Sequence, residues 1–366
     1  MNDLTLPIQP KASNDSQTVK VLAVNPMLAK TNSATKPSDT IKPKSAKRLA
    51  ETKSLSHQDW LAVRNQGIGG SDSASACGLN PYMSRLELWL IKTGRINADL
   101  SDELIENAYS PLYWGKELEP LIAKYYTAKT GNKVRRVNAV LQHPDPDKSF
   151  MLANLDYAVN KSEVGVLEIK TAGEHGAKLW KDGVPLYVIC QVQHQLAVTG
   201  KQLAHVCVLI CGHEAKLFEV KRDDLFIEQL IEQERRFWDY VQQDIAPPAD
   251  GSDSSAKALQ QLYSTTYGEA VDFSDNDTVN EWFTQLKEQK ELVDKHQHQF
   301  DFFKQQIQQA MKQAEFATFA TGSVSWKKSK DSISLDSKAL LADKPELLER
   351  YSQVKQGSRR FLVNAK

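Results

Sequence analysis

The stretch that decides the fold spans residues 150–171 and reads FMLANLDYAVNKSEVGVLEIKT. Two runs rich in apolar and β-branched residues, Phe150–Asn160 and Val164–Thr171, flank the polar segment 161–163. Such runs on either side of a short polar segment are typical of two strands joined by a turn. We therefore expect a β-hairpin here, with one face turned towards a hydrophobic core.

The hairpin carries charged residues in an arrangement that suits metal chemistry. Glu168 and Lys170 are two residues apart, so both point to the same face of the second strand. Asp156 lies on the first strand, and the hairpin brings it next to Glu168. Paired carboxylates hold a divalent cation, and a nearby lysine positions water and offsets negative charge. The acid-x-lysine pattern alone is weak, because it recurs in this chain, and solvated charges on an exposed hairpin face explain the spacing equally well.

The flanking segments predict helices and a second hairpin. We expect a long helix over 112–129 that ends at Gly131. Its expected buried stripe consists of Leu118, Leu121, Ile122 and Tyr125. The further elements expected are a helix between Pro185 and Gly200, strands over 203–211 and 215–221, and a helix over 223–244. This order predicts an α/β (α+β) protein with a mixed sheet flanked by helices.

Composition divides the chain into four parts. Residues 1–55 contain few large apolar residues and more Lys and Arg than Asp and Glu, so we expect a disordered basic leader. The domain that contains the charged hairpin is expected over 56–248, followed by a linker over 249–258. Residues 259–366 are expected to form a helical accessory region.

Global charge gives no indication of a nucleic-acid partner, because Lys+Arg and Asp+Glu both count 46. Any phosphate-binding surface must therefore be a local patch. The sequence contains no apolar run of membrane-spanning length and no pattern of a secretory signal. Its four cysteines have no disulfide-framework spacing, so we expect a cytoplasmic protein without membrane association.

One cysteine and histidine string imitates a zinc site. His205-x-Cys207-x-x-x-Cys211-x-His213 has ligand-type residues at alternating positions. All four are expected on one strand face, where they cannot surround a zinc ion tetrahedrally. Buried strand cysteines are the preferred interpretation.

A glycine-rich turn forms a second candidate site. The segment 67–71, Gly-Ile-Gly-Gly-Ser, precedes a short helix, and Arg64 lies seven residues before Ser71. Exposed backbone N–H groups and a guanidinium together suit an anion. The alternative is an N-cap serine with an unrelated surface arginine.

Four motifs in order resemble the lambda-type alkaline exonucleases, which include the YqaJ-like viral recombinase nucleases. They are Trp114-Gly-Lys-Glu-Leu-Glu119, Leu155-Asp156, Leu167-Glu-Ile-Lys170 and Tyr187-Val-Ile-Cys-Gln-Val-Gln-His-Gln-Leu-Ala-Val-Thr-Gly200. The resemblance extends over about residues 60–248. It implies a restriction-endonuclease-like PD-(D/E)XK core with flanking helices and, here, a C-terminal helical extension.

The resemblance also implies roles for individual residues around a Mg²⁺ site that Mn²⁺ can also occupy. Those expected at the metal are Asp156, Glu168, the backbone carbonyl of Ile169 and the helical carboxylate Glu119. Those expected beside it are the catalytic Lys170 and the helix glutamine Gln191. Glu117 competes with Glu119 for the helical position, and motif position favours Glu119.

A pocket for the 5′-phosphate of a DNA end is the further implication, with Arg64 and Ser71 as its donors. Two departures bear on this pocket. The family has a serine immediately before Leu155-Asp156, where this chain has Asn154. The basic residue that follows the lysine motif has no clear match, with Lys178 and Lys181 as the candidates.

The function implied is an exonuclease that degrades one strand of linear double-stranded DNA from 5′ to 3′. It would leave 3′ single strands for phage-type homologous recombination. The expected partners are DNA ends, two further copies in a homotrimeric ring and a single-strand annealing protein. The alternatives are an endonuclease of the same fold and a non-catalytic DNA-end-binding module.

Overall fold

The computed structural model describes residues 45–96, 110–160, 164–354, 357 and 359–364. The chain divides into two compact units, the first ending at Ala258 and the second beginning at Leu259. The disordered leader expected over 1–55 lies largely outside the described residues. Its described part contains a strand, Lys47–Glu51, so the ordered chain begins earlier than expected.

The described part of the first unit contains both helices and strands. Its helices are α1 (His57–Arg64), α2 (Gly70–Ala76), α3 (Arg85–Lys92), α4 (Pro111–Thr130), α5 (Glu174–Ala177), α6 (Leu186–Thr199) and α7 (Asp224–Gln242). Its strands are β1 (Lys47–Glu51), β2 (Val134–Arg136), β3 (Ala139–Gln142), β4 (Leu152–Ala153), β5 (Tyr157–Val159), β6 (Val166–Ala172), β7 (Leu203–Ile210) and β8 (Glu214–Lys221). Helix α8 (Asp253–Leu262) begins inside the expected linker and buries Ser255 and Ala258.

The two long helices beside the sheet begin and end where local chemistry dictates. Ser110 caps α4 by accepting a hydrogen bond from the Leu112 N–H, and a proline follows at the first helical position. Gly131 ends α4 with a left-handed φ of 73°. Helix α6 follows Pro185 and ends at Gly200 with φ 69°. Both ends match the expected boundaries.

A five-stranded mixed sheet, with strand order β2-β5-β6-β7-β8, forms the centre of the first unit. Strands β6 and β7 are parallel, and α6 lies between them in the sequence; the other neighbours are antiparallel. The expected hairpin is present as β5 and β6, with Tyr157 opposite Leu167; segment 161–163 lies outside the described residues. The mixed sheet with flanking helices confirms the predicted fold class.

The strand expected over Phe150–Asn160 is interrupted. Its first half, β4, belongs to a separate three-stranded sheet of order β1-β3-β4, and its second half, β5, belongs to the central sheet. Residues 154–156 form the break between the two sheets. Asp156 is therefore a junction residue rather than a strand residue.

Helix α4 covers one face of the central sheet. Its residues Ile122, Ala123 and Tyr126 pack with Leu167 and Ile169 in one buried cluster. The expected stripe was partly wrong: Leu121 and Tyr125 are 57% and 38% exposed. The helix carries more apolar residues than its buried face contains, so periodicity alone did not identify that face.

Helix α6 is joined to its neighbours through a buried ion pair. His194 Nδ1 lies 2.7 Å from Glu234 Oε1 of α7, and His194 Nε2 lies 2.8 Å from the Leu152 carbonyl. Both partners only accept, so the imidazole donates from both nitrogens and is charged. Burial alone would lower the pKa of His194, but Glu234 outweighs it and raises that pKa. The pair ties α6 to α7 and to β4.

The loop before α2 is docked on β4 through its backbone. Ile68 N–H donates to the Phe150 carbonyl at 2.7 Å, and Leu152 N–H donates to the Ile68 carbonyl at 2.8 Å. Helix α2 starts at Gly70, three residues before Ser73, where the small residues 73–77 had predicted a short helix. The docking fixes the glycine-rich turn against the segment that leads to Asp156.

Gly67→Ala is expected to loosen this docking. A β-carbon at position 67 would lie 2.3 Å from the Phe150 carbonyl oxygen and 2.8 Å from Leu152 Cγ. Overpacking of this kind destabilises by about 1–3 kcal/mol, and each kcal/mol lowers Tm by roughly 2–4 °C in a domain of this size. Thermal unfolding checks it, with Gly176→Ala as control because its β-carbon would meet only Ala172 Cβ, at 3.7 Å. Equal Tm values for the two variants would contradict the prediction.

The second unit consists of helices and one hairpin. Its elements are the long helix α9 (Asp277–Met311), the antiparallel strands β9 (Phe316–Phe319) and β10 (Gly322–Ser325), and the short helices α10 (Ser337–Asp343) and α11 (Glu346–Tyr351). Within the described ranges, none of the helices combines the length and apolar character of a membrane span.

Candidate active site

One cavity of about 880 Å³ gathers the residues singled out in the sequence. It lies in the first unit, between the central sheet, α4, α6 and the α1–α2 segment. The sequence-predicted residues lining it are Arg64, Ser71, Glu119, Asp156, Glu168, Ile169, Lys170 and Gln191. The hairpin site and the glycine-rich site, expected separately, therefore share one cavity.

Asp156 is held at the break by the neighbouring strand. The Ile169 N–H donates to Asp156 Oδ2 at 2.9 Å. Burial, followed by the negative charge of Glu168, raises the pKa of Asp156 to about 8. A divalent cation beside these carboxylates would relieve both effects, since it favours the charged form.

Glu168 is almost fully buried and receives hydrogen bonds on both oxygens. Its Oε1 accepts from Lys170 Nζ at 2.7 Å and from Gln191 Nε2 at 2.6 Å. Its Oε2 accepts from Gln195 Nε2 at 2.8 Å. The plane of this carboxylate is therefore fixed by donors from both sides.

Lys170 points into the same cavity from β6. Its Nζ donates to Glu168 Oε1 and, at 2.9 Å, to Gln191 Oε1. Burial alone would lower the pKa of Lys170, but the charge on Glu168 outweighs it and raises that pKa. The ammonium is thus kept charged beside the two carboxylates of the cavity.

Helix α4 contributes Glu119 rather than Glu117. Glu119 lines the cavity and accepts from Arg136 Nη2 at 2.7 Å. Glu117 is exposed and is not among the lining residues. The geometry supports the choice made from motif position.

The glycine-rich side of the cavity is organised around a buried carboxylate. Arg64 Nη2 donates to Ser71 Oγ at 2.5 Å and to Asp72 Oδ1 at 2.8 Å, and Lys92 Nζ lies 2.8 Å from Asp72 Oδ2. Burial alone would raise the pKa of Asp72, but Arg64 and Lys92 hold it well below its ordinary value. The cap of α2 is Gly69, so the N-cap interpretation of Ser71 was wrong.

Of the two departures from the family pattern, one lies at the cavity and the other has no counterpart there. Asn154 lines the cavity, beside the break that holds Asp156. Lys178 and Lys181 are both exposed and lie outside the set of lining residues. Neither lysine is therefore placed to supply the missing basic group.

The zinc-like string is not a metal site in this structure. His205 bonds to the Tyr126 hydroxyl at 2.9 Å, and Cys207 is buried in the core. Cys211 is exposed and lies with His213 in the turn after β7, so the four residues do not share one strand face. The expectation of a buried strand cysteine is confirmed for Cys207.

Sequence reasoning missed two residues that hold the candidate ligands. Gln195 bonds Glu168, and Arg136 bonds Glu119. Gln195 is four residues after Gln191, so helical spacing put both on one face of α6; this signal was present in the sequence. Arg136 comes from the edge strand β2, and no local pattern links it to α4.

The donor set at the cavity fits magnesium. Among the described residues, no three His, Cys, Asp or Glu side chains form a ready cage for a metal ion. Mg²⁺ rarely uses such cages; it binds one or two carboxylates and completes its shell with water and substrate phosphates. Asp156 and Glu168 supply two carboxylates, and Ile169 lies between them at the cavity wall. Glu119 supplies a third, shared with Arg136.

Comparison with known proteins gives consistent matches. Residues 59–202 match the YqaJ-like viral recombinase domain. The chain is 34% identical over 315 residues to the YqaJ protein of Bacillus subtilis (strain 168), which covers 85% of this chain and 95% of that protein. Among solved structures, it is similar to an alkaline exonuclease from Laribacter hongkongensis (22% identity, 51% of this chain, 93% of that one, TM-score 0.42). It is also similar to a phage-related exonuclease from Haemophilus somnus 129PT (14% identity, 49% of this chain, 96% of that one, TM-score 0.31).

Proposed function

The chain belongs to the YqaJ-like viral recombinase family, and on that premise we propose that it is a Mg²⁺-dependent deoxyribonuclease. Its substrate is linear double-stranded DNA, of which it degrades one strand from 5′ to 3′. The observation that carries the proposal is the shared cavity, in which Asp156, Glu168 and Lys170 lie with Arg64 and Ser71.

The residues of the cavity have different roles in the proposed hydrolysis. Asp156, Glu168 and the Ile169 carbonyl hold the cation, with Glu119 as the helical carboxylate. A bound cation supplies Lewis-acid polarisation of the phosphate and lowers the pKa of a water molecule. Lys170 donates to the attacking water and balances the negative charge that develops on the phosphate.

The bond changes follow from in-line attack at phosphorus. The water oxygen forms a new bond to phosphorus, the bond to the 3′ oxygen breaks, and that oxygen leaves with a proton. Gln191 holds Lys170 through a bond of 2.9 Å, so the ammonium keeps its position during the reaction. Preorganised donors of this kind account for much of the rate in phosphoryl transfer.

Recognition of DNA ends distinguishes an exonuclease from an endonuclease. A pocket for a terminal phosphate serves an enzyme that acts at DNA ends, whereas an endonuclease has no use for one. Arg64 presents a guanidinium to the cavity that contains the carboxylates, and Ser71 adds a hydroxyl. This favours the exonuclease over the endonuclease, and the intact Asp156 and Glu168 favour both over a non-catalytic end-binding module.

The end pocket predicts a preference among substrates. A linear duplex with 5′-phosphates should be digested faster than its 5′-hydroxyl counterpart, and closed circles should resist. Arg64→Ala should shrink the difference, since one charge-assisted contact is worth about 1.5–3 kcal/mol, roughly 10- to 100-fold in rate. Ser71→Ala removes only the hydroxyl and should have a smaller effect. Steady-state digestion of the three substrates measures all of this.

Arg95→Ala is the matched control for Arg64→Ala. Arg64 lies over the ring of Trp60 and pairs with Asp72. Arg95 likewise lies over the ring of Trp89 and pairs with Asp244, but it does not line the cavity. Its replacement should leave the end preference unchanged. Equal rates on both ends, unaffected by Arg64→Ala, would refute the pocket; rapid cutting of closed circles would favour the endonuclease.

We include in the proposal the assembly that the family resemblance implies. The protein would act as a homotrimeric ring around DNA and hand its 3′ single strand to a single-strand annealing protein. Solution mass measured with and without duplex DNA tests the ring. Co-elution with a single-strand annealing protein tests the partner.

A further inference from the structure

Three glutamines alternate along helix α6, and their side chains have different surroundings. Gln191 lines the cavity, whereas Gln193 and Gln195 are buried. A buried glutamine must satisfy an amide donor and an amide acceptor, or it destabilises the fold. The hydrogen-bond partners of each glutamine amide therefore indicate whether its role is structural or functional.

Gln193 has partners on both ends of its amide. Its Nε2 donates to the Lys221 carbonyl at 2.7 Å, and its Oε1 accepts from the Asp223 N–H at 3.1 Å. These bonds fasten α6 to the segment between β8 and α7. Gln193 therefore acts as a structural bridge.

Gln195 is fully buried, and its amide is satisfied on one end only. Its Nε2 donates to Glu168 Oε2 at 2.8 Å, while its Oε1 has no hydrogen-bond partner. The reversed amide would set its oxygen against a carboxylate that only accepts, so the orientation is fixed. An apolar residue of the same size would avoid the orphaned oxygen, so stability alone does not explain a glutamine here.

The orphaned amide is nevertheless held firmly in place. A β-carbon at position 70 would lie 3.3 Å from Gln195 Cγ and 3.4 Å from Gln191 Cγ. The backbone of α2 at Gly70 therefore packs closely against both glutamines. Because position 70 is a glycine, this close approach is possible.

We propose that Gln195 is a positioning residue that holds the Glu168 carboxylate in the orientation in which it receives the divalent cation. Without Gln195, Glu168 keeps donors on Oε1 alone, from Lys170 and Gln191, and its plane can rotate about that anchored oxygen. Groups that orient a metal ligand from outside typically change metal affinity or activity by about 10- to 100-fold when removed. This inference rests on the proposed role of Glu168 as a metal ligand.

The test compares Gln195→Met with Gln193→Met in the full-length protein, using Mn²⁺ as the probe. Binding is measured by calorimetry or electron paramagnetic resonance, and Tm is measured without metal. Gln195→Met should raise the Mn²⁺ Kd by about 10- to 100-fold. Its metal-free Tm should stay close to the wild-type value, because the lost bond to Glu168 and the removed orphan oxygen act in opposite directions. Saturating Mn²⁺ should restore much of its turnover.

Gln193→Met should show the reverse pattern. It leaves the Lys221 carbonyl and the Asp223 N–H without their partner, so its Tm should fall by roughly 3–8 °C. Its Mn²⁺ Kd should equal that of the wild type. A Gln195→Met protein with wild-type Mn²⁺ affinity and a lowered Tm would overturn the proposal.

A second variant covers the case in which Gln195→Met does not fold. Gln195→Asn keeps the amide but is one methylene too short to reach Glu168, so its Mn²⁺ Kd should also rise; an unchanged Kd overturns the proposal. Failure of the positioning role can be distinguished from failure of the proposed nuclease function. A wild type that binds Mn²⁺ but cleaves no DNA refutes the nuclease alone, whereas a cleaving wild type with an unaffected Gln195→Asn refutes the positioning role alone.

Discussion

Asp156→Ala and Glu168→Ala are each expected to abolish DNA cleavage while leaving the protein folded. The two carboxylates line one cavity and are the oxygen donors that magnesium prefers. Metal-ion catalysis contributes several kcal/mol to phosphate cleavage, so the loss should reach roughly 10³-fold or more in rate. Digestion of a linear duplex, labelled at one end, measures the residual rate.

The same two variants should lose the stabilisation that a cation gives the wild type. Binding at a concentration of 100 Kd adds about 2.7 kcal/mol to the free energy of unfolding. Tm should therefore rise with Mg²⁺ or Mn²⁺ in the wild type and stay flat in the variants. Glu214→Ala, which removes an exposed carboxylate of β8, is the control and should behave as the wild type. Cleavage at the wild-type rate by either cavity variant would sink the assignment of the site.

Lys170→Ala is expected to lower kcat strongly while changing DNA affinity little. The ammonium lies 2.7 Å from Glu168, and in the proposed mechanism it acts on charge that develops only in the transition state. Removal of one such preorganised donor lowers kcat by about 10²- to 10³-fold. Lys170→Arg should restore little, because a planar guanidinium does not replace a compact ammonium beside a water molecule. Single-turnover rates and DNA binding in Ca²⁺ separate the two parameters.

Lys216→Ala is the matched control for this lysine. Lys216 belongs to the same acid-x-lysine pattern, and its Nζ lies 3.2 Å from Glu214. Glu214 is exposed, Lys216 is half-buried, and the pair lies outside the cavity. Its replacement should leave kcat unchanged. If Lys170→Ala instead weakens DNA binding and leaves kcat intact, Lys170 is a phosphate contact and not part of the chemistry.

Local patterns were sufficient to predict the central hairpin and the shared face of Glu168 and Lys170. Glu168 and Lys170 share a face because strand geometry has a period of two residues, and this depends on nothing distant. The interruption of the strand before Asp156 was not predictable in this way. Leu152 and Tyr157 both suit a strand, and only the pairing of β4 with β3 and of β5 with β6 reveals that they belong to different sheets.

Helix α4 illustrates the other limit of sequence reasoning. Its apolar residues exceed its buried face, and the periodic pattern fitted Leu121 and Tyr125 as well as it fitted Ile122 and Tyr126. The structure buries Ile122 and Tyr126 and exposes the other two. Which stripe is covered depends on where the sheet lies, and the Tyr126 hydroxyl finds its partner in His205, far along the chain. Such long-range partners have no local signature.

The parallel pairing of β6 with β7 determines when the cavity can exist during protein synthesis. Strand β6 carries Glu168 and Lys170, yet its parallel neighbour β7 follows only after the crossover through α6, which brings Gln191 and Gln195. A nascent chain that has not yet released β7 from the ribosome cannot complete the central sheet, because domains fold as units. We therefore expect the cavity around Glu168 and Lys170 to be complete only after β7 has been synthesised. A truncated translation product that ends before β7 is expected to lack DNA-cleaving activity.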